Sequence, residues 1–522
     1  MIREISRRKC LRLWLCKPEY MERTKWENRF VLLRFRKKNY MMFLKDLKRF
    51  KMERLYDKLK AYSESDFYAF HMPGHKRNKA LLGIELPYDL DITEIDGFDD
   101  LHHADGILKE EQERAARVFG AEESHFLVNG STAGILSAVM GCTHRGDKIL
   151  VARHCHKSIY HAIYMNGLVP RYVYPEFDIS MHMNGEISKE DVAKALAAEP
   201  DIKAVVIVSP NYDGVVSDVK GIAEVAHSYR IPLIVDEAHG PHFGFHPAFP
   251  GRANDLGADV VINSLHKTLP SLTQTAILHI NGKIVNRRRL KKYLDMLQSS
   301  SPSYIFMASL DACVDFVDGK CENAFELYVE RLQKFREELE PLQHLPILRT
   351  EHYDISKVVI STANANITSP ELAERLRKEY HLEMEMTGGT YVLAMTTVAD
   401  TQEGLDRLKA ALLEIDGQLE AKTAVSGSIE ISGELPRLEQ YFTPQEAADR
   451  EEDGEAEEIP WKESEGYISL EYAYLYPPGS PVIVPGERIS REAVELLCYY
   501  ETQNLQIEGI QTEGKIKVWK HE

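Results

Sequence analysis

From about residue 120 the chain alternates short apolar runs with helix-length amphipathic stretches, and few folds accommodate that rhythm. "SHFLVNGSTAGILSAVMGCT" reads as strand, glycine turn and helix. "KILVAR", "PRYVYPE", "KAVVIVSP", "PLIVDEA" and "DVVINS" read as strands, with "SKEDVAKALAAE" and "VKGIAEVAHSYR" as helices between them. Strands joined through helices of this length imply parallel βαβ units, with helices on both faces of one sheet. The expectation is a large doubly wound α/β domain. In such sheets ligands collect beyond the carboxyl ends of the strands, so the residues closing each strand carry the most information.

Four of these strand ends hold groups with chemistry to offer. "VNGSTAG" places Asn129, Gly130, Ser131 and Thr132 at a strand-to-helix turn, where backbone N–H groups, hydroxyls and the helix dipole suit a phosphate; Ser and Thr there also serve as plain helix caps. "VARHCHKSIYH" follows its strand with His154 and His156. "LIVDEAHGPHFG" ends a very apolar strand in Asp236, followed by Glu237 and His239, and a buried carboxylate is costly unless it meets a cation or donors. "VINSLHKT" ends its strand with Ser264, His266 and Lys267.

A phosphate cradle, an imidazole, a buried carboxylate and a lysine are the parts that hold pyridoxal phosphate. The lysine forms a Schiff base with the aldehyde, and the carboxylate keeps the ring nitrogen protonated so that the ring accepts electrons. Desolvation among other cations lowers the lysine's pKa and favours the neutral nucleophile. A lone Asp or Lys at a strand end is usually a solvated loop residue. The spacing of Asp236 and Lys267, one crossover apart and each with a histidine beside it, outweighs that reading. Zinc on His239, His242 and His246, or on His154 and His156, is the weaker rival, because no HExxH helix or fourth ligand accompanies them.

The rest of the chain adds domains around this one. Residues 320–344 look like a long charged helix. "ISKVVIST", "SPELAERLRKEYH", "EMTGGTYVLAMTT" and "TQEGLDRLKAALLEID" make a compact unit of strands and helices over 345–416. "DREEDGEAEE", 449–458, reads as a solvated acidic loop or a cation-attracting rim. "LYPPGSPVIVPGERIS" is a proline and glycine loop barred from a central strand or a helix interior, and a short helix follows. The expected domains are a basic extension at 1–51, a cofactor-binding large domain with an N-terminal arm at 52–319, a linking helix and small α/β domain at 320–416, and a C-terminal domain at 417–522.

Charge separates the head from the body. Residues 1–51 carry 17 Lys and Arg against 5 Asp and Glu, net +12, while residues 52–522 carry 47 against 76, net −29. An acidic body argues against nucleic acid as a partner. The head is a binding arm, a targeting segment, or absent from a product that starts at Met52, where "MERLYDKLKAYSES" begins an amphipathic helix; the last reading is favoured. Seven scattered cysteines without CxxC spacing suggest neither disulfides nor a cysteine metal site, so a reducing, cytoplasmic setting is expected. No apolar run approaches the roughly 20 residues of a membrane span.

"SLHKTLPSLTQTA" resembles the cofactor-lysine signature of the Orn/Lys/Arg decarboxylases of aminotransferase-like fold. "FHMPGHKR", "DITEIDGFDDLHHADGILKEEQERAARVFGA", "NGSTAG", "HCHKS", "DEAHGPHFGFH", "SSPSYIFMASLDA" and "PPGSPVIVPGE" agree with it, so the likeness runs from about residue 52 to the C-terminus. It implies a mixed, mostly parallel seven-stranded sheet with helices on both faces, a small α+β domain and a C-terminal decarboxylase domain. It implies that Lys267 carries the cofactor, that Asp236 partners the pyridine nitrogen, that His156 stacks on the ring, and that His239 lies beside it. Ser131, Thr132, Ser264 and His266 become phosphate-side contacts, and the site lies at a homodimer interface where Ser303 reaches the neighbouring subunit's phosphate. Asn211 departs from the pattern, since a threonine is usual there.

The same fold hosts other reactions. Aminotransferases commonly fix the substrate carboxylate with a small-domain arginine, and "HLEMEMTGGTYVLAMTT" has none, which suits decarboxylation. Lys267 or His239 then returns the proton at Cα. Length and the lack of an extra N-terminal wing make the chain resemble the biosynthetic arginine decarboxylases of the polyamine route, so the expected substrate order is arginine, lysine, ornithine. Glu94, Asp96, Glu471 and Glu487 are the candidates for the substrate's distal cation. The alternatives are an aminotransferase or aldolase of this fold, or a non-catalytic relative that binds the cofactor.

Overall fold

Seven strands form one sheet: β1 (Glu123–Leu127), β2 (Lys148–Ala152), β3 (Val169–Val173), β4 (Val205–Val208), β5 (Leu233–Asp236), β6 (Val260–Asn263) and β7 (Ala276–Ile280), in the order β1-β7-β6-β5-β4-β2-β3. The computed structural model describes residues 54–80, 83–178, 183–349, 351–421, 434–475, 479–502 and 505–520. The expectations for the basic head and a start at Met52, and those for Pro477 and Pro478, lie outside the described residues. β2 pairs in parallel with β3 and β4, and β4, β5 and β6 continue in parallel. β7 runs antiparallel to both β1 and β6, so the other six strands share one direction. The carboxyl ends of β1, β2, β4, β5 and β6 therefore open on a single edge.

Burial on both faces explains the near-continuous apolar runs, since every residue of β4, β5 and β6 is buried. Alternation divides the side chains of β1 and β7 between two cores. Leu127, Ala276, Leu278 and Ile280 join a core with α3 (Gly130–Cys142), α4 (Lys157–Asn166), α5 (Lys189–Ala198) and α6 (Val219–Ser228), whereas Phe126, Val128 and Ile277 face the opposite one. That second core runs on through α9 (Tyr304–Val317) and α10 (Glu322–Glu338) into a three-stranded antiparallel sheet. Its strands β8 (Lys357–Ser361), β10 (Tyr391–Met395) and β9 (Met386–Thr387) lie in the order β8-β10-β9 under α11 (Ser369–Tyr380) and α12 (Gln402–Asp416). α11 starts at a capping box in which Thr368 and Glu371 satisfy each other's backbone N–H, with a proline in the first turn.

The flanking helices are α1 (Leu55–Ser63), α2 (Ile107–Val118), the one-turn α7 (Leu265–Thr268) and α8 (Arg287–Leu297). α1 buries Leu55 and Leu59, the face its periodicity predicted. The C-terminal segment has its own small core around Trp461, Ile483, Leu496 and Val518. The acidic run 449–458 is not a loop. It spans the end of α13 (Pro444–Glu452), a turn at Gly454, and the start of a strand, Ala456–Pro460, paired with Lys515–Trp519. Two of its carboxylates are taken by neighbours: Glu455 pairs with Arg450 and accepts from the Trp519 indole, and Glu451 pairs with Lys517. The proline-rich loop holds a short strand, Pro481–Ile483, at the edge of a three-stranded sheet, where a proline costs no ladder bond.

Candidate active site

β5 ends in Asp236, whose buried carboxylate accepts from the Ala238 N–H at 3.1 Å. Burial pushes its pKa up, and the nearby Lys267 opposes that. β6 leads through Ser264 into α7, which carries Lys267. The Lys267 ammonium is destabilised by burial against the pull of Asp236 and Glu385, so its pKa falls. Its Nζ lies 2.8 Å from Nε2 of His239, and Nδ1 of that ring lies 3.3 Å from Nζ of Lys357. Tyr212 packs against the ring with centroids 4.4 Å apart, and its hydroxyl donates to Glu385. Burial, then Lys267 and Lys357, hold His239 neutral, its pKa well below the ordinary value.

The phosphate-side candidates sit where α3 begins. Ser131 and Thr132 lie inside its first turn, and Asn129 holds the N-cap position without a side-chain bond to the helix; its Oδ1 accepts from Ser299 N–H instead. Gly130 takes φ +73°, which favours glycine at the turn. Ser264 Oγ is buried and has no partner among the described residues. His266 donates from Nδ1 to the Thr275 carbonyl at 2.8 Å, which orients its ring. His156 caps α4: Nδ1 accepts from the Ser158 N–H at 3.2 Å, and burial with Lys267 nearby brings its pKa down to about 4. Ser303 caps α9 by accepting from the Phe306 N–H. Asn211 folds its own turn, accepting from Gly214 and Val215 and donating to the Asn184 carbonyl.

A phosphorylated pyridine aldehyde fits this set. The orphaned Ser264 hydroxyl and the uncapped turn of α3 offer donors to a phosphate, the buried Asp236 needs a cationic N–H, and Lys267 offers an amine of depressed pKa. The three histidines of the zinc rival point into separate networks. His239 meets two lysines, His242 meets Thr268 and Asp354, and His246 meets Glu326.

Two carboxylates expected near the substrate are engaged elsewhere. Glu487 is fully buried and takes a bidentate pair from Arg153 at 2.7 and 2.8 Å, and Glu471 accepts the backbone N–H groups of Gln511 and Lys517. Local sequence concealed both roles, because the partners lie far away in the chain. Sequence reasoning also missed Tyr212, Glu385 and Lys357. The available signal for Lys357 was a charge opening an apolar run, "KVVIS", whose five residues are all buried.

The fold is that of the solved lysine decarboxylases. The Francisella novicida enzyme superposes with a TM-score of 0.76 at 20% identity, covering 92% of this chain and 83% of its own. The constitutive Escherichia coli enzyme gives 0.75 at 21%, covering 89% and 82%. The chain belongs to the Orn/Lys/Arg decarboxylase family: the model of the family's major domain matches residues 53–421, and that of its C-terminal domain matches 433–514. It is a decarboxylase. Curated relatives include the arginine decarboxylase of Bacillus subtilis, 33% identical over 87% of this chain and 95% of its own, and that of Bacillus anthracis, 32% identical over 89% and 97%. Lysine decarboxylase LdcA of Pseudomonas aeruginosa is 25% identical over 83% and 73%.

Proposed function

We propose that this decarboxylase converts L-arginine to agmatine with pyridoxal phosphate as cofactor, in a reducing cytoplasm and on the route to polyamines. The observation that carries the chemistry is the convergence, on one sheet edge, of the depressed amine of Lys267, the buried carboxylate of Asp236 and the orphaned hydroxyl of Ser264. Likeness to arginine decarboxylases over nearly the whole length supports arginine ahead of lysine and ornithine.

When bound, pyridoxal phosphate supplies the electron sink for the carbanion left at Cα as CO₂ departs. Ser131, Thr132, Ser264 and His266 would hold the phosphate, Asp236 would keep a proton on the ring nitrogen, and His156 would face the ring. Lys267 would supply the amine that carries the cofactor, and Lys267 or His239 would return a proton to Cα. Glu94 and Asp96 remain the carboxylates for the distal cation; Glu94 Oε1 is buried without a partner among the described residues. The protein acts as a homodimer, in which Ser303 serves the neighbouring phosphate. In support, the arm over residues 67–72 leaves Phe67, Tyr68, Phe70 and Met72 exposed.

The test is incubation of the purified protein and cofactor with arginine, lysine and ornithine, following CO₂ and amine. Agmatine with equimolar CO₂ is expected, at a kcat/KM for arginine above that for the other two. Keto acid without CO₂, or no product from any of the three, overturns the reading.

A further inference from the structure

Lys357 opens β8, outside the sheet that carries the other site residues, and its side chain is fully buried. Its stem passes the backbone of Gly214, where a Cβ would stand 2.7 Å from Lys357 Cγ, so the turn at 214 is shaped to admit it. Its amine meets Nδ1 of His239 on the side opposite Lys267. The imidazole thus stands between two amines, one at each nitrogen.

A neutral imidazole has one N–H and one lone pair. His239 stays neutral, because burial first, and then the basic groups around it, Lys357 among them, oppose a charge on it. The amine at the ring's lone pair must then donate, and the amine at the ring N–H must accept as a free amine, because an ammonium has no lone pair. Asp354, Asp213 and Glu385 face Lys357. Asp354 is buried and held as a carboxylate by His242, Lys357 and the Ser356 hydroxyl. Asp213 accepts from the Tyr391 hydroxyl at 2.6 Å. Lys267 faces two carboxylates, Asp236 and Glu385, against the three that face Lys357. The surplus of carboxylates lies with Lys357, whose pKa, lowered by burial to about 8, still leaves it mostly an ammonium at neutral pH.

We propose that Lys357 is a positioning residue: its ammonium donates to Nδ1 of His239, fixes the proton on Nε2, and so presents an N–H to Lys267 that holds that amine unprotonated and reactive. The ring becomes a one-way relay, with the proton donor always toward Lys267. This rests on Lys267 as the reactive amine.

The pH dependence of Lys267 acylation by an amine-selective reagent, read by peptide mass spectrometry on the full chain freed of cofactor, tests the proposal. In Lys357→Met the midpoint should rise by ~1 unit or more, a ~10-fold loss of reactivity at fixed pH below it, with the circular dichroism unchanged. Lys357→Arg should retain the wild-type midpoint. A midpoint unmoved in folded Lys357→Met overturns the proposal. For wild type, ¹⁵N NMR of labelled histidines, with His239 assigned by its loss in His239→Gln, gives the answer without relying on a Lys357 variant. A neutral ring protonated on Nε2 supports the proposal, and protonation on Nδ1 refutes it. Borohydride reduction of wild type with pyridoxal phosphate is the separate check on Lys267: label elsewhere would sink the underlying reading, and label on Lys267 isolates any failure to Lys357.

Discussion

His154 sits two residues past the end of β2, buried, with neither ring nitrogen partnered among the described residues. Burial alone lowers its pKa to about 4, against about 6.5 in an unfolded chain. Between those values the unfolded chain binds a proton that the folded one refuses, so stability falls as pH falls, by about 1.4 kcal/mol per unit for this group. Denaturant melts from pH 6.5 to 4.5 should show a shallower loss in His154→Gln than in wild type; equal slopes would mean that His154 titrates normally. The residues that close β5 and β6 were legible because an acid or an amine after an apolar run is conspicuous. Lys357 and Tyr212 were not, since each gains its place through the His239 ring, which neither adjoins in sequence.

At the level of elements, a buried ion pair helps to fasten the C-terminal segment to the sheet edge. Arg153, directly after β2, is completely buried, stacks 4.7 Å over Tyr172, donates to the Val482 carbonyl and forks onto Glu487. Ser480 Oγ adds a bond to the His154 carbonyl. Removing one partner leaves a buried charge without compensation, which costs about 3–5 kcal/mol, whereas replacing both by apolar groups is often near neutral. Glu487→Gln should therefore lower the unfolding free energy by about that amount, and Arg153→Met with Glu487→Leu should recover most of it. If the double variant is no more stable than the single one, the pair is not the fastening. Local periodicity sufficed for α1, α5, α6 and the buried strands. It failed at 449–458, where solvated charge resembled a loop and only the pairing with Lys515–Trp519 made a strand.

For the whole molecule, the exposed arm decides whether one chain suffices. Phe70 is 90% exposed and Tyr68 71%, and Phe67 and Met72 extend the same segment. Apolar side chains left this open in a contiguous stretch mark an interaction surface. Light scattering should give a dimer for wild type and a shift toward monomer, with activity that rises with protein concentration, in the double variant Phe67→Ser, Phe70→Ser. A monomeric wild type with full turnover would remove the dimer from the account. What the sequence by itself determined was local: strands buried on both faces, caps, turns, and the residues that close each strand, because their signals lie within a few positions of one another. Tertiary structure alone decided that Glu487 belongs to Arg153, 334 positions away, and that Lys357 reaches His239 across 118. Whether a buried charge is a binding group or a fastening depends on which partner reaches it, and no local pattern encodes the arrival of a distant side chain.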